Sequence, residues 1–494
     1  MEIAFKQRLL VGASVALAVV AGREIAHGNF LLAGLLAGFL LLWLAQRITG
    51  LATDAFVAGL VLIGYLVGNR GFAQLQVPGL PLLPGELALG VGTLFVGLRA
   101  TQTKTLPVRR SLLDFTLLSW LAFGAIRLRQ DFPAHGFLAL RDFALLYYAV
   151  FFFLAQGWGA QPASRRWLER CLTIGFALTA PVFLAFAQWP EVFVRSFAIL
   201  GTPLIYVKSD VAGGFMVAGA FWFLGRFLAE RRGWWLALTG TNLVGVAFSN
   251  SRAALVALAI AGLWLALARD WRRLKLLAGL AVAGLLLVLA SGLVGGKPWT
   301  LSPAYRLYES ALSTVDFEGT QPYHADDLGD KPENNQFRLT WWRAVVDETV
   351  AKNPWIGLGF GYDLADQFTR RYYPEGSEEF SARSPHNFPL TVFGRMGAVG
   401  LAFLATVLTA LALRTWRAGR RAVRGDDDGT AFTLLLGVWA IFTSACFGVV
   451  LEGPMGAAVF WTLLGLATAP TDEKTEADLR PAGPGPDMPL RTAP

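Results

Sequence analysis

The stretch SPHNFPLTVFGRMGAVG, residues 384–400, places a titratable ring where a polar segment meets an apolar one. His386 is one of only four histidines in the chain. Ser384 is a good N-cap and Pro385 suits the first helical position, so the sequence predicts a helix beginning here. His386 would lie in its first turn, where the helix dipole disfavours imidazolium. A neutral imidazole can act as a general base, although this position also suits a histidine that only hydrogen-bonds a carbonyl.

Two arginines near the start of predicted helices are candidates for binding an anion. Arg252 follows Ser249 and Ser251, either of which can cap a helix. The N–H groups at a helix N-terminus attract anions, and a guanidinium beside them matches the geometry of phosphate. Arg338 opposes the dipole of its own predicted helix, and a shared anion would offset that cost. Arginines at the ends of apolar helices can also simply reach lipid head groups.

Further charged residues are expected on the same side of the apolar segments as His386. Arg383, Arg141 and Lys208 would add positive charge around the histidine, an arrangement that suits a pyrophosphate. Glu452 lies between two apolar runs on that side. It can orient a base or an acceptor hydroxyl, or it can pair with an arginine.

The composition indicates a membrane protein. Hydrophobic residues make up 54% of the chain, charged residues 16%, and the mean hydropathy is +0.48. Apolar runs of near-membrane length recur along the whole sequence, and about 20 helical residues cross the hydrocarbon core of a bilayer. Alternating strands of about ten residues, typical of membrane barrels, are absent from the sequence. The sequence predicts an all-α polytopic fold.

The apolar runs predict fourteen transmembrane helices, or twelve if the shortest do not cross. The predicted spans are 9–22, 30–45, 55–68, 85–98, 113–126, 143–157, 172–189, 211–228, 234–248, 252–268, 276–294, 397–413, 430–450 and 454–469. The first run resembles a signal peptide but lacks a clear cleavage site, which favours a retained span.

Charge and composition divide the chain into four parts. These are N-terminal membrane helices (1–294), a large hydrophilic loop (295–385), C-terminal membrane helices (386–470) and a disordered tail (471–494). Basic residues cluster in alternate short connections, so the positive-inside rule places both termini in the cytoplasm and the loop outside. The net charge of +8 is therefore interpreted as a topology signal and not as a nucleic-acid-binding surface.

The large loop contains one clear helical pattern. Phe337, Trp341, Val345 and Val346 recur at helical spacing, before helix-breaking residues in NPWIG. Adjacent tryptophans on an amphipathic helix suit a membrane interface, and the loop is expected to act as a lid. The acidic stretch 324–330 fits no metal-ligand spacing, and the two cysteines fall in or beside different spans, so no metal site or disulfide is expected.

The motif around His386 resembles that of a known superfamily, the O-antigen ligases and O-antigen polymerases. The ligase signature is His-Asn, Ser or Gln, then nine residues, then Gly-x-x-Gly. Here His386 and Asn387 precede nine residues and then Gly397-Ala398-Val399-Gly400. The segments SNSR and FRLTWWRAVVDETVAKNPWIGLGFG also resemble the superfamily, so the similarity covers roughly residues 200–470.

This resemblance implies a GT-C-like glycosyltransferase that needs no metal or other cofactor. Such enzymes transfer a glycan from undecaprenyl pyrophosphate to an acceptor hydroxyl, with inversion, at the periplasmic face of the bacterial inner membrane. Ligases use lipid A–core as acceptor in lipopolysaccharide biosynthesis. The resemblance assigns His386 as the base, Arg252 and Arg338 to the pyrophosphate, and Asn387 to the substrate site. The superfamily typically has twelve spans, so two of the runs would be parts of a broken helix or membrane-dipping segments.

Three alternatives use the same residues differently. An O-antigen or exopolysaccharide polymerase would use a second lipid-linked glycan as acceptor, and a protein O-oligosaccharyltransferase would use a serine or threonine. The complete His-Asn motif favours the ligase. A flippase for lipid-linked glycans would bind the cargo without chemistry at His386, but the sequence shows no internal repeat and its polar residues gather at the span ends.

Overall fold

The computed structural model describes residues 51–76, 82–103, 109, 111–199, 201–249, 251–294, 303–316, 331–372 and 383–470. The predicted spans 9–22 and 30–45, the acidic stretch 324–330 and the tail 471–494 lie outside these described residues.

The described chain is almost entirely helical. Its helices are α1 (Thr53–Ala73), α2 (Pro84–Thr103), α3 (Leu112–His135), α4 (Phe137–Asp142), α5 (Ala144–Tyr147), α6 (Val150–Gly159), α7 (Pro162–Gln188), α8 (Pro190–Ser196), α9 (Ser209–Glu230), α10 (Gly233–Phe248), α11 (Arg252–Ala268), α12 (Trp271–Val294), α13 (Pro303–Val315), α14 (Lys331–Lys352), α15 (Asp366–Tyr372), α16 (Phe388–Arg424), α17 (Thr430–Ala445) and α18 (Pro454–Thr468). One short antiparallel pair, β1 (Ala198–Ile199) and β2 (Thr202–Pro203), lies between α8 and α9.

The prediction of an all-α polytopic membrane protein is confirmed. Five helical segments are long and apolar enough to cross a membrane: Thr53–Ala73, Phe137–Gly159, Pro162–Gln188, Ser209–Glu230 and Phe388–Arg424. Three apolar helices, α11, α17 and α18, are shorter. Each predicted span within the described residues coincides with a helix or a helical segment. The total of twelve to fourteen spans remains a prediction.

The centre of the bundle is α9, which packs against α7, α10, α11 and α17. Every residue from Val211 to Leu224 is buried. A helix that is apolar on all sides must be covered by other helices or by lipid, and neighbouring helices cover α9. The start of α9 carries Lys208 and Asp210 to the end of the bundle where the loop helices lie.

The predicted span 143–157 is broken in the structure. It runs from Phe137 to Gly159 as α4, α5 and α6, and backbone bonds between residues three apart, such as Leu146 N to Phe143 O at 2.9 Å, mark the junctions. Such tighter turns are typical of short interruptions in a helix. The break extends the segment to include Arg141 and Asp142, two charges that hydropathy alone places outside the span.

The loop helices form a small core of their own. Trp341 and Val345 on α14 pack with Leu364, Ala365 and Phe368. Trp341 is 1% exposed and its indole N–H donates to the Leu364 carbonyl at 3.0 Å. The prediction that Trp341 faces a membrane interface is therefore wrong. Its partners lie in a short, polar-flanked segment that carries little hydropathy signal.

Candidate active site

The helix that carries the sequence motif begins three residues later than predicted. Asn387 is the N-cap of α16, and its side chain accepts a hydrogen bond from Leu390 N at 3.1 Å. The predicted cap at Ser384 and first turn at Pro385 are wrong, because Asn387 followed by Pro389 supplies the same start signal further along. His386 lies just before the helix with φ 55°, in the left-handed region where histidine is among the more tolerated residues.

His386 is half-buried and neutral near pH 7. Its ring meets the edge of Trp341 at a centroid distance of 5.9 Å. The pKa of His386 is lowered from 6.5 to about 4, mainly by burial and also by the charges of Lys208 and Arg338, while Asp210 acts in the opposite direction. The neutral imidazole expected from the helix dipole is therefore present for other reasons, namely desolvation and two neighbouring cations.

The ring borders a cavity of about 210 Å³. Its wall combines α4, the segment before α16, the first turn of α16 and the connection between α17 and α18. The lining residues are Arg141, Asp142, Leu145, Arg383, Ser384, His386, Thr391, Arg395, Val449 and Glu452. Three arginines, two carboxyl groups and one imidazole thus share a single small space.

A buried ion pair supports the cavity. Arg395, whose side chain is 3% exposed, contacts Asp142 at 2.7 Å between Nη1 and Oδ2. The same Asp142 oxygen accepts from Gly361 N at 2.9 Å and lies 3.6 Å from Nη2 of Arg383. Arg383 also donates to the Gly361 carbonyl at 2.6 Å. One carboxylate therefore connects α4, α16 and the segment that follows α14.

The motif glycines let that segment dock on α16. Gly397 has φ 61° and ψ −157°, which interrupts the helix and suits glycine alone. Backbone bonds then join the two segments, including Leu358 N to Gly394 O at 2.7 Å and Ala398 N to Pro354 O at 2.8 Å. A Cβ on Gly397 would stand 2.6 Å from Gly357 N. Gly394 and Gly397 thus face the loop segment and helix α14, and not a neighbouring membrane helix.

A second group of charges lies beside His386. Arg338 on α14 donates from Nη1 to the Phe447 carbonyl at 2.9 Å. Lys208 forms an ion pair with Asp210, 3.1 Å from Nζ to Oδ2. Both cations act on the His386 ring electrostatically, although neither lines the cavity described above.

Arg252 is anchored to the loop helices. Its Nη1 donates to Asn335 Oδ1 at 2.7 Å and to the Ser313 carbonyl at 3.1 Å, and Ser251 caps its helix as one of the two predicted candidates. Asn335 and Arg338 are three residues apart on α14, so they share one face of that helix. The Arg252 guanidinium therefore lies about one helical turn from the position of Arg338.

Glu452 sits in the cavity wall and accepts a hydrogen bond from the Thr391 hydroxyl at 2.8 Å. The Thr391 and Ser384 hydroxyls are in turn 3.2 Å apart. Burial raises the pKa of the Glu452 carboxyl above its usual range, against the opposing effect of the Ser384 and Thr391 hydrogen bonds. A carboxyl with a raised pKa and a histidine with a lowered one thus share a cavity.

The structure brings together some of the predicted site residues and separates others. His386, Arg141, Arg383 and Glu452 line one cavity, and Lys208 and Arg338 border the histidine. Arg252 contacts the loop helices, and Asn387 caps α16 and does not line the cavity. Sequence reasoning missed Asp142, Arg395, Thr391 and Asp210. An arginine in an otherwise apolar stretch, as in FGRMG at the start of the predicted span 397–413, was the available signal for Arg395.

No metal-ligating cluster is evident in the described ranges. Within them, no three histidine, cysteine or acidic side chains group as a metal site requires.

These features define a polytopic α-helical membrane protein with a cation-lined cavity at one end of its bundle. A family model described as O-Antigen ligase matches residues 235–405, from α10 to the first half of α16. The match includes Arg252, Arg338, His386 and the Gly-x-x-Gly motif. Residues 235–405 are therefore similar to the O-antigen ligase family, which consists of membrane glycosyltransferase-like enzymes. None of the curated proteins compared with the chain matches it.

Proposed function

We propose that this protein is an O-antigen ligase that transfers a glycan from undecaprenyl pyrophosphate to a sugar hydroxyl of lipid A–core. The reaction takes place at the periplasmic face of the bacterial inner membrane, inverts the anomeric carbon and needs no metal. The observation that carries the proposal is the neutral, half-buried imidazole of His386, which opens on a cavity lined by Arg141 and Arg383 and has Arg338 beside it. A base next to several cations suits an acceptor hydroxyl and a pyrophosphate leaving group.

The chemistry follows from these positions. His386 takes the proton of the acceptor hydroxyl as the oxygen attacks the anomeric carbon. The bond from that carbon to the pyrophosphate oxygen breaks, and its electron pair stays on the pyrophosphate. Negative charge grows on the leaving group, so fixed guanidinium groups stabilise the transition state more than the ground state. Arg338 and Arg252, about one helical turn apart, bind the pyrophosphate. Further positive charge around the leaving group comes from Arg141, Arg383 and Lys208.

Glu452 is proposed to orient the acceptor. Its carboxyl is held by Thr391 in the same cavity as His386, so it can fix a sugar hydroxyl by hydrogen bonding. Asn387 contributes indirectly, because its cap on α16 fixes the backbone that follows the histidine. Lipid-linked donors and a lipid acceptor both fit a site at the membrane surface.

The orientation of the protein is part of the proposal. Arg414, Arg417, Arg421 and Arg424 lie at the far end of α16 from His386. The positive-inside rule places that end in the cytoplasm and the His386 end in the periplasm. The loop helices α13 to α15, within 295–385, would then cover the site on the periplasmic side.

A reconstituted transfer assay tests the reaction and its acceptor. The purified protein in lipid vesicles receives undecaprenyl-pyrophosphate glycan with EDTA present, and lipid A–core, a serine- and threonine-containing protein or only more donor as the acceptor. We expect glycosylated lipid A–core as the product. Elongated lipid-linked glycan would instead indicate a polymerase, a glycosylated protein would indicate an oligosaccharyltransferase, and transport of the donor without product would indicate a flippase.

The lowered pKa of His386 predicts an unusual pH profile. A base is active only when unprotonated, so kcat/KM for the donor should stay level from pH 8 down to about 5. It should fall below about pH 4, the pKa of His386 in the free enzyme, and not near 6.5. Bound pyrophosphate stabilises the protonated ring of His386 and so raises its pKa. The acidic limb of the kcat profile should therefore lie at higher pH than that of the kcat/KM profile.

A charge variant checks the cause of this profile. Lys208→Met removes one cation that lowers the pKa of His386, so its acidic limb should move to higher pH. Steady-state rates across pH for both proteins provide the measurement. A wild-type limb centred at 6.5 in kcat/KM would contradict the described environment of His386.

A further inference from the structure

A second cavity lies at the opposite end of α16 from His386. It has a volume of about 350 Å³ and is enclosed by the start of α3, the last third of α16, the start of α17 and the end of α18. Arg414 is 26 residues beyond Phe388, which is roughly 40 Å along the helix. The two cavities therefore belong to opposite membrane surfaces, and this one has no part in the proposed transfer.

The lining of this cavity carries positive charge only. Arg414, Arg417 and Arg421 contribute to the lining, and no acidic residue does. Their spacing of three and four residues puts them on one face of α16. Arg421 is paired with Asp427 at 3.3 Å. Within the part of the chain that the structure describes, no ion pair joins Arg414 or Arg417 to a carboxylate.

The nearest buried acid is already engaged. Asp114 on α3 is fully buried and accepts hydrogen bonds from the Ser111 hydroxyl and from Arg109 N. Arg109 in turn donates to the carbonyl of Thr468, at the end of α18. Asp114 therefore attracts Arg414 only at longer range, and the two remaining guanidinium groups face the cavity.

Apolar side chains complete the site. Leu112 is 60% exposed and Leu413 is 45% exposed, and both line the cavity. Trp416, 49% exposed, lies beside Arg417 on the same helix, and tryptophan is typical of the membrane–water interface. A ligand here would have an anionic group near two arginines and hydrocarbon along exposed leucines.

From this arrangement we infer that the cavity binds the phosphodiester head group of an anionic phospholipid. Guanidinium groups match phosphate oxygens in charge and geometry. Basic pockets between membrane helices on the cytoplasmic side bind such head groups, and apolar flanks hold the acyl chains. A free phosphate shares only the anionic part of this chemistry.

Lipid titrations measured by native mass spectrometry test the inference. The full-length protein in detergent is titrated with phosphatidylglycerol, with phosphatidylcholine and with glycerol phosphate. We expect phosphatidylglycerol to bind tightest. The double variant Arg414→Ala/Arg417→Ala should bind it roughly tenfold or more weakly. The matched control Arg420→Ala/Arg424→Ala loses the same charge from the same helix outside the cavity, and should bind as the wild type does.

Each outcome decides the question. Equal binding of the two phospholipids would show that the protein binds lipid without regard to its charge, and would overturn the site. An equal loss of phosphatidylglycerol binding in both double variants would show only a general attraction to positive charge, and would also overturn it. Binding of glycerol phosphate as tight as that of phosphatidylglycerol would overturn the lipid as the ligand. If the Arg414/Arg417 variant does not fold, the wild-type protein is crosslinked with a photoactivatable phosphatidylglycerol and the crosslinked residues are identified. Crosslinks concentrated on α16 from Leu413 to Arg421 support the site, and an even spread over the bundle rejects it.

Discussion

Replacing His386 with alanine should lower the rate of glycan transfer by a factor of about 10² to 10⁴, the usual contribution of a general base. Without the imidazole, nothing at that position accepts the proton of the acceptor hydroxyl. Donor binding should change little, because Arg338 and Lys208, which border the ring, remain in place. Initial rates with lipid A–core, together with donor affinity by calorimetry, measure the two effects separately.

His386→Asn is the matched control for folding. Asparagine tolerates a positive φ well, so it fits the left-handed backbone at this position, but it cannot act as a base near neutral pH. Both variants should be equally inactive and both should remain folded. Arg338→Ala should differ from them by weakening donor binding as well as transfer. Transfer at the wild-type rate in either His386 variant would remove the histidine from the mechanism.

Hydropathy was sufficient to predict most of the fold. The predicted spans 211–228 and 252–268 coincide with α9 and α11 within a few residues, because helix length and apolar content are local properties of the sequence. The broken segment from Phe137 to Gly159 was predicted only in part. Its first turns carry the exposed Arg141 and also Asp142, whose burial depends on partners elsewhere in the chain.

The candidate site shows the same division. His386 was found from a short local motif. Its neutral state was also predicted, but from the dipole of a helix. In the structure, burial and two neighbouring cations lower its pKa instead. Two adjacent start signals, Ser384-Pro385 and Asn387-Phe388-Pro389, cannot be ranked without tertiary contacts. The pairing of Asp142 with Arg395 joins residues far apart in sequence, so no local pattern reveals it.

That buried pair should be the structure's most sensitive point for stability. Asp142→Ala leaves the Arg395 guanidinium uncompensated in the interior, and removing one partner of a buried pair costs about 3–5 kcal/mol. It also removes the acceptor for Gly361 N and the partner of Arg383, so the cavity wall should loosen. Thermal unfolding in detergent, followed by circular dichroism, measures the loss.

Two further variants separate the effect of burial from the effect of losing an ion pair. Asp366→Ala breaks a similar aspartate–arginine pair, but there the aspartate and arginine side chains are 43% and 76% exposed, so the loss should be at most about 1 kcal/mol. Asp142→Ala/Arg395→Met removes both charges of the pair and should recover much of the stability that Asp142→Ala loses, because the most deeply buried guanidinium is no longer left unpaired. If Asp142→Ala unfolds no more easily than Asp366→Ala, the pair does not hold the cavity together. Recovery of stability in the double variant without recovery of transfer would show that Asp142 and Arg395 also position the residues around His386.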